Sequence, residues 1–187
     1  MKRNIIVFGA ISGLIISTFM GISMAMMSCG SGDADGGLGS MIVGFSAMAV
    51  AFSFIFVGIK NFRDKKNGGV ITFGKAFYMG CMISLIASTM YVLTWAVEFH
   101  YFMPDFIDKY SEIQIKQMRE SGLSGAALDE AIKGIETAKY NYKNSPLHFA
   151  LYTYMEILPV GVIITLISSL ILKRKTAVTL ETELLKP

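Results

Sequence analysis

Glu156 is the residue whose position most asks for a chemical role. It lies in Leu147–Leu172, an apolar run that contains no other Asp, Glu, Lys or Arg. A carboxylate near mid-membrane costs about 2.5–3.5 kcal/mol on insertion scales, so it should face protein or water. A protonated, hydrogen-bonding form suits such a place, acting either as a post between helices or as a carrier of charge. His148 and Tyr152 share its helix face at i−8 and i−4, and Pro159 follows at i+3. Pro159 has no N–H for the Met155 carbonyl, which exposes an acceptor beside the acid. An antiparallel preceding span brings Ser88, Tyr91 and Thr94 to a similar depth. These seven residues form a candidate intramembrane polar seam. Lys75 sits at the far end of that span and is not the partner.

Other constellations are weaker. Met20, Met24, Met27 and Cys29 gather soft donors that suit Cu(I), but methionine is also a common flexible filler, and packing is the preferred reading. Asp33 and Asp35 hint at calcium, yet position twelve of a loop starting at Asp33 is Gly44, where a bidentate glutamate is needed. Gly122-Leu123-Ser124-Gly125 has the letters of the rhomboid-protease GxSG, but its serine lies in a polar turn, and neither His100 nor His148 lies deep in a span. Cys29 and Cys81 differ in expected depth by roughly 20 Å, too far for a disulfide. Neither HExxH, paired aspartates, a nucleophile elbow nor a phosphate loop is present. The sequence therefore points to no catalytic residue, no metal site and no cofactor.

The elements that must position Glu156 are membrane spans. Hydrophobic residues make up 53% of the 187 and charged residues 17%, against about 25% charged in globular chains. The charges are clumped between apolar runs, the pattern of lipid-facing surface. Spans are expected over about 4–27, 39–59, 73–97 and 147–172. In the first, Gly9, Gly13, Ser17, Gly21 and Ala25 recur every four residues, a small-residue face that lets another helix approach closely. Gly44, Ala47 and Ala51 give the second span a face to meet it. A basic start, an apolar run and Ser28-Cys29-Gly30 resemble a lipoprotein signal. The run is longer than the roughly 7–15 residues of a signal core, and Met26 stands where leucine is usual, so span one is read as retained.

Thr72 is expected to cap span three, along which Ser84, Ser88, Tyr91, Trp95 and Glu98 form a polar-aromatic stripe. Trp95, Phe99, Tyr101 and Phe102 read as an interfacial belt. Residues 98–145 are the one sizeable polar segment, with eight acidic and six basic residues. Within it two amphipathic helices, one opening at Pro104 and one ending near Lys143, make an antiparallel hairpin over 104–143, turned at Gly122 and Gly125. Ser145-Pro146 supplies the cap and first residue of span four. The loop holding Lys60, Arg63, Lys65 and Lys66 is the strongest orientation marker. It leaves 11 of the 17 Lys and Arg on the cytoplasmic side. Both termini are then cytoplasmic and the hairpin extracytoplasmic. The expected fold class is an all-α membrane protein, with a single four-span domain over 1–175 and a short tail over 176–187.

Four pieces taken in order carry a resemblance: Gly68–Phe77 (GGVITFGKAF), Pro104–Tyr110 (PDFIDKY), Glu156–Gly161 (EILPVG) and Leu172–Lys175 (LKRK). Together they resemble a bacterial integral-membrane family known as domain of unknown function 4199. The likeness runs over about residues 3–175. It implies a four-span bacterial membrane protein, and it implies no activity or binding residue; the expected location is the inner membrane.

Two functions fit the sequence. The first is a non-enzymatic structural or accessory protein whose outer hairpin docks a partner. The alternative is a small oligomeric transporter or proton-coupled permeation unit using Glu156, since four spans alone are few for a pathway. An enzyme is the least supported reading. The partners to expect are the lipid bilayer, further copies of the chain and an extracytoplasmic protein. The net charge of +3 gives no argument for nucleic acid.

Overall fold

The computed structural model describes residues 1–28 and 38–174, and the side chains of these except 24–28 and 38–41. The side chains of Met24, Ala25 and Met27, together with Cys29, Asp33, Asp35 and the tail from 175 onward, lie outside the described residues. Among the described residues six α-helices follow one another: α1 Lys2–Ser28, α2 Leu38–Lys66, α3 Phe73–Tyr101, α4 Phe106–Glu120, α5 Ala126–Asn144 and α6 Pro146–Leu172. Four of them are long and apolar enough to cross a membrane, over Lys2–Ser23, Ile42–Lys66, Phe73–Tyr101 and Pro146–Leu172. The chain is a multi-pass, all-α membrane protein. It forms two compact units, Met1–Tyr91 with Glu156–Pro187, and Val92–Met155.

In the first unit α1 lies along α2, with a Cβ built at Gly58 only 3.0 Å from Phe8. Gly9 and Gly13 of the small face of α1 meet α3, and nothing stands within 4 Å of a Cβ built at Gly44 of α2. A Cβ at Gly9 would lie 2.8 Å from Ile86, and one at Gly13 would strike Met90. Four residues along α1 meet four residues along α3 in the same direction, so the two helices are parallel. Between α3 and α6 the direction reverses: Gly80 faces Thr165 and Ser84 faces Gly161. A Cβ at Gly80 would sit 2.5 Å from Thr165 Cγ2. Ala76, Gly80, Ser84 and Ser88 repeat every four residues, as do Ile157, Gly161, Thr165 and Ser169. Both helices thus present small-residue ridges that permit backbone approach in lipid. Phe52, Ile55 and Ile59 of α2 are fully buried in the same unit.

The basic ends of this unit are gathered together. Asn4 Nδ2 donates to Asn61 Oδ1 at 3.2 Å. Arg63 donates to the Leu172 carbonyl at 3.3 Å, satisfying a last-turn acceptor of α6. Ile71 and Arg174 exchange backbone hydrogen bonds. The turn after α2 is made by Gly68 and Gly69, at φ 64° and 80°, a left-handed pair that a side chain would strain. Asn67 accepts from Lys75 Nζ at 2.9 Å, and the Lys75 amide meets Thr72 Oγ1 at 3.4 Å, the expected cap.

The second unit holds the hairpin. Pro104 lies in a turn ahead of α4, with Asp105 at the N-cap, so the helix begins two residues later than its proline suggests. α4 ends with Leu123 N–H bonding the Met118 carbonyl and Gly122 N–H bonding that of Arg119, with Gly122 at φ 85°. This is a Schellman closure, and it needs the left-handed residue that glycine supplies. Ser145 caps α6, its Oγ 3.4 Å from the His148 amide.

Candidate functional site

In the second unit an aromatic cluster joins the end of α3 to α4, α5 and the start of α6. Trp95 Nε1–H donates to the Tyr142 hydroxyl at 2.6 Å. Tyr142 also packs on Phe99, Phe149 and Tyr152, with ring centroids 5.4, 4.9 and 6.2 Å apart. Trp95 meets Phe106 edge-on at 5.1 Å. Of the residues expected in an interfacial belt, Trp95 is half-buried and Phe99 buried, both packed on rings of the following helices. A half-buried indole is best placed with a partner for its N–H, and Tyr142 provides it. Tyr101 and Phe102 remain exposed.

Asp108 of α4 accepts from Lys139 at 2.9 Å and from Lys143, both on α5. The hydrogen bonds from Lys143 and Lys139 hold the Asp108 carboxyl below the usual carboxylate range, and Lys139 is raised in turn. The hairpin is therefore pinned by charge at one end. Along its length it is thinly packed. Ser111 is the one buried residue of α4, and α5 has none. A groove of about 430 Å³ lies along the two helices, lined by Ile107, Ser111 and Gln114 of α4, Ile135 and Ala138 of α5, and Tyr152 of α6. Its walls are mostly apolar, with hydroxyl, amide and ammonium groups at the margins. Such a surface takes an apolar side chain of a partner and orients it by hydrogen bonds. On α4 the groove is lined by Ile107, Tyr110, Ser111 and Gln114, so of the stripe expected through Phe106, Tyr110, Ile113 and Gln117 it includes Tyr110.

The seven residues expected to share a polar seam have different surroundings. Ser88 and Tyr91 are buried on α3. Glu156, Pro159 and Tyr152 are exposed on α6, and His148 and Thr94 are half-buried. Among the described residues Glu156 makes no hydrogen bond or ion pair. His148 Nδ1 is 2.9 Å from Ser145 Oγ. Of the residues expected to pack helices, Gly9 and Gly13 are in close approach, Ala51 is 1% exposed, Ser17 is half-buried, and Gly21 and Gly44 have nothing within 4 Å of a built Cβ.

Sequence reasoning caught two features only in part, placing Ser84, Ser88 and Glu98 on the α3 stripe without their burial. One is a set of buried hydroxyls, Ser84, Ser88, Thr165 and Ser169 with Ser12, that have no hydrogen-bond partner among the described residues. The four-residue repeat Gly80-Ser84-Ser88 was the available signal. The other is Glu98, 9% exposed and without an ion pair among the described residues. It lies inside α3, which continues to Tyr101. Its spacing of three from Trp95 marked the side that turns inward.

The family described as protein of unknown function (DUF4199) matches residues 7–174. The chain belongs to that family. No curated protein and no solved structure matches it. Membership in DUF4199 brings a family but no activity, so function has to be read from the hairpin groove and the exposed acid.

Proposed function

We propose that this protein is a non-enzymatic accessory protein of the bacterial inner membrane, whose α4–α5 hairpin docks a protein partner outside the cytoplasm. One observation carries the reading: two amphipathic helices of 15 and 19 residues bury only Ser111 between them. An amphipathic face is kept apolar when something covers it. The orientation rests on charge. Lys2, Arg3, Lys60, Arg63, Lys65, Lys66, Lys75, Lys173 and Arg174 belong to the ends gathered around Asn4, Asn61 and Leu172, against Asp64 alone. Lys and Arg near span ends stay in the cytoplasm, so both termini lie there and the hairpin lies opposite.

The groove itself supplies the test. Gly134 lines it and has open space at its Cβ position. Gly134→Leu brings an apolar side chain into the groove from a position whose Cβ meets nothing. A partner that co-purifies in gentle detergent with the wild type should be lost with this variant while the yield of folded chain is unchanged. Equal recovery with both chains, or recovery of no partner with either, refutes the docking reading.

A second reading is favoured by Glu156. It stands on an exposed face of α6 beside Met155, which is 74% exposed. Left facing lipid, a carboxylate costs about 2.5–3.5 kcal/mol. Cover by a further copy of the chain removes that cost, and it gives the oligomer a titratable group for transport. Glu156→Gln keeps the hydrogen-bonding shape and removes the titration. In proteoliposomes it should abolish proton-coupled flux if this reading is right, and unchanged flux rules it out.

A further inference from the structure

The first unit contains a second cleft, of about 410 Å³, between the start of α1 and the end of α2. Its lining is Arg3, Asn4, Val7, Phe8, Asn61 and Lys66. These residues divide by chemistry. Arg3 and Lys66 are exposed cations. Asn4 is 5% exposed and donates its amide to Asn61 Oδ1. That bond holds Asn61 with its own amide N–H groups unused among the described residues. The lining contains no carboxylate. Val7 and Phe8 add an apolar wall that runs from the charged end into the span.

Donors at the membrane boundary joined to an apolar wall match one ligand class. The phosphate of a phospholipid lies at span ends, and its chains run beside them. A guanidinium and an ammonium bind phosphate oxygens, the first in a planar fork and the second as a point charge. Basic pockets between spans take anionic headgroups by this combination. We infer that the cleft formed by Arg3, Asn4, Asn61 and Lys66 above Val7 and Phe8 is a binding site for an anionic phospholipid headgroup. A free phosphate shares the charge but has nothing to place on Val7 and Phe8. This site is separate from the hairpin and does not depend on its role.

The test uses the full chain in detergent. Dioctanoyl phosphatidylglycerol, dioctanoyl phosphatidylcholine and inorganic phosphate are titrated in parallel, and bound adducts are counted by native mass spectrometry. One phosphatidylglycerol should bind at least tenfold more tightly than phosphatidylcholine, and phosphate should not displace it at equal concentration. Arg3→Gln with Lys66→Gln should weaken it at least tenfold. Lys60→Gln with Lys65→Gln removes the same charge from the same end outside the cleft, and should leave binding within about twofold. Val7→Trp keeps both cations but fills the cleft, and should also lose the lipid. Equal losses from both charge pairs mean diffuse attraction and overturn the site. Binding of phosphate as tight as that of the lipid overturns the lipid assignment. Persistence of binding in Val7→Trp overturns the location. All substituted side chains are exposed or cleft-lining, and an unchanged elution volume checks that each variant folds.

Discussion

Gly161→Ala tests the α3–α6 contact directly. On a helix, alanine in place of glycine gains about 1 kcal/mol of propensity. Here the new methyl would strike Ser84 Oγ and lie 3.0 Å from Ser84 Cβ and 3.2 Å from Phe52 Cζ. Carbon atoms rest at about 3.5–4.0 Å, so α6 has to move away from α3 by roughly half an ångström. Thr165 and Gly80, one turn along, are equally tight and follow that movement. Overpacking of this kind costs about 1–3 kcal/mol. The overlap here includes a side-chain carbon and a ring on two sides, which argues for the upper part of that range. The net expectation is a loss of about 1–2 kcal/mol. SDS titration of the protein in dodecyl maltoside micelles, followed by near-ultraviolet circular dichroism, reads this as an earlier midpoint. Ser84→Gly removes both atoms on the α3 side, so the double variant should lose less than the sum of the two single ones, by about 1 kcal/mol. A Gly161→Ala protein as stable as the wild type, with strict additivity, would mean that the helices do not approach at Ser84.

Further outcomes follow from the same geometry. Gly134→Ala, at an open helical position, should gain about 0.5–1 kcal/mol, seen as a later midpoint in the same titration. Tyr142→Phe removes the acceptor of the Trp95 indole and should cost about 1 kcal/mol. Trp95 is the single tryptophan, so its emission maximum should shift as well. The Asp108 carboxyl is held low by Lys143 and Lys139, so its contribution to the hairpin is complete above the ordinary carboxylate value of about 3.9. That contribution is lost as pH falls through the lower folded value. Proteolysis at 121–125 should accelerate in that acid window, and Asp108→Asn should show the faster rate already at neutral pH. Ser88→Ala removes a buried hydroxyl that has no partner among the described residues and should leave stability unchanged or raise it by about 1 kcal/mol.

The class, the number of apolar helices and most of their ends were legible in the linear order of residues. Lipid allows only helices whose backbone groups are satisfied within the segment, so an uncharged run of sufficient length is enough to predict one. Caps and stops are also local. Thr72, Ser145-Pro146 and the glycines at 68, 69, 122 and 125 act through their own backbone angles and nearest amides. Which faces meet is different in kind. The glycine face of α1 allows close approach to any helix, and only the folded chain selects Ile86 and Met90 of α3. The pairing of Ser84 with Gly161, the inward turn of Trp95 and the burial of Glu98 depend on helix rotation. That rotation is set by contacts between residues far apart in the chain. Glu156 marks the boundary between the two kinds of knowledge. Its place within an apolar run is a property of the sequence, and its exposure on α6 is decided by tertiary packing, because Ile157 and Gly161 occupy the buried side of that helix.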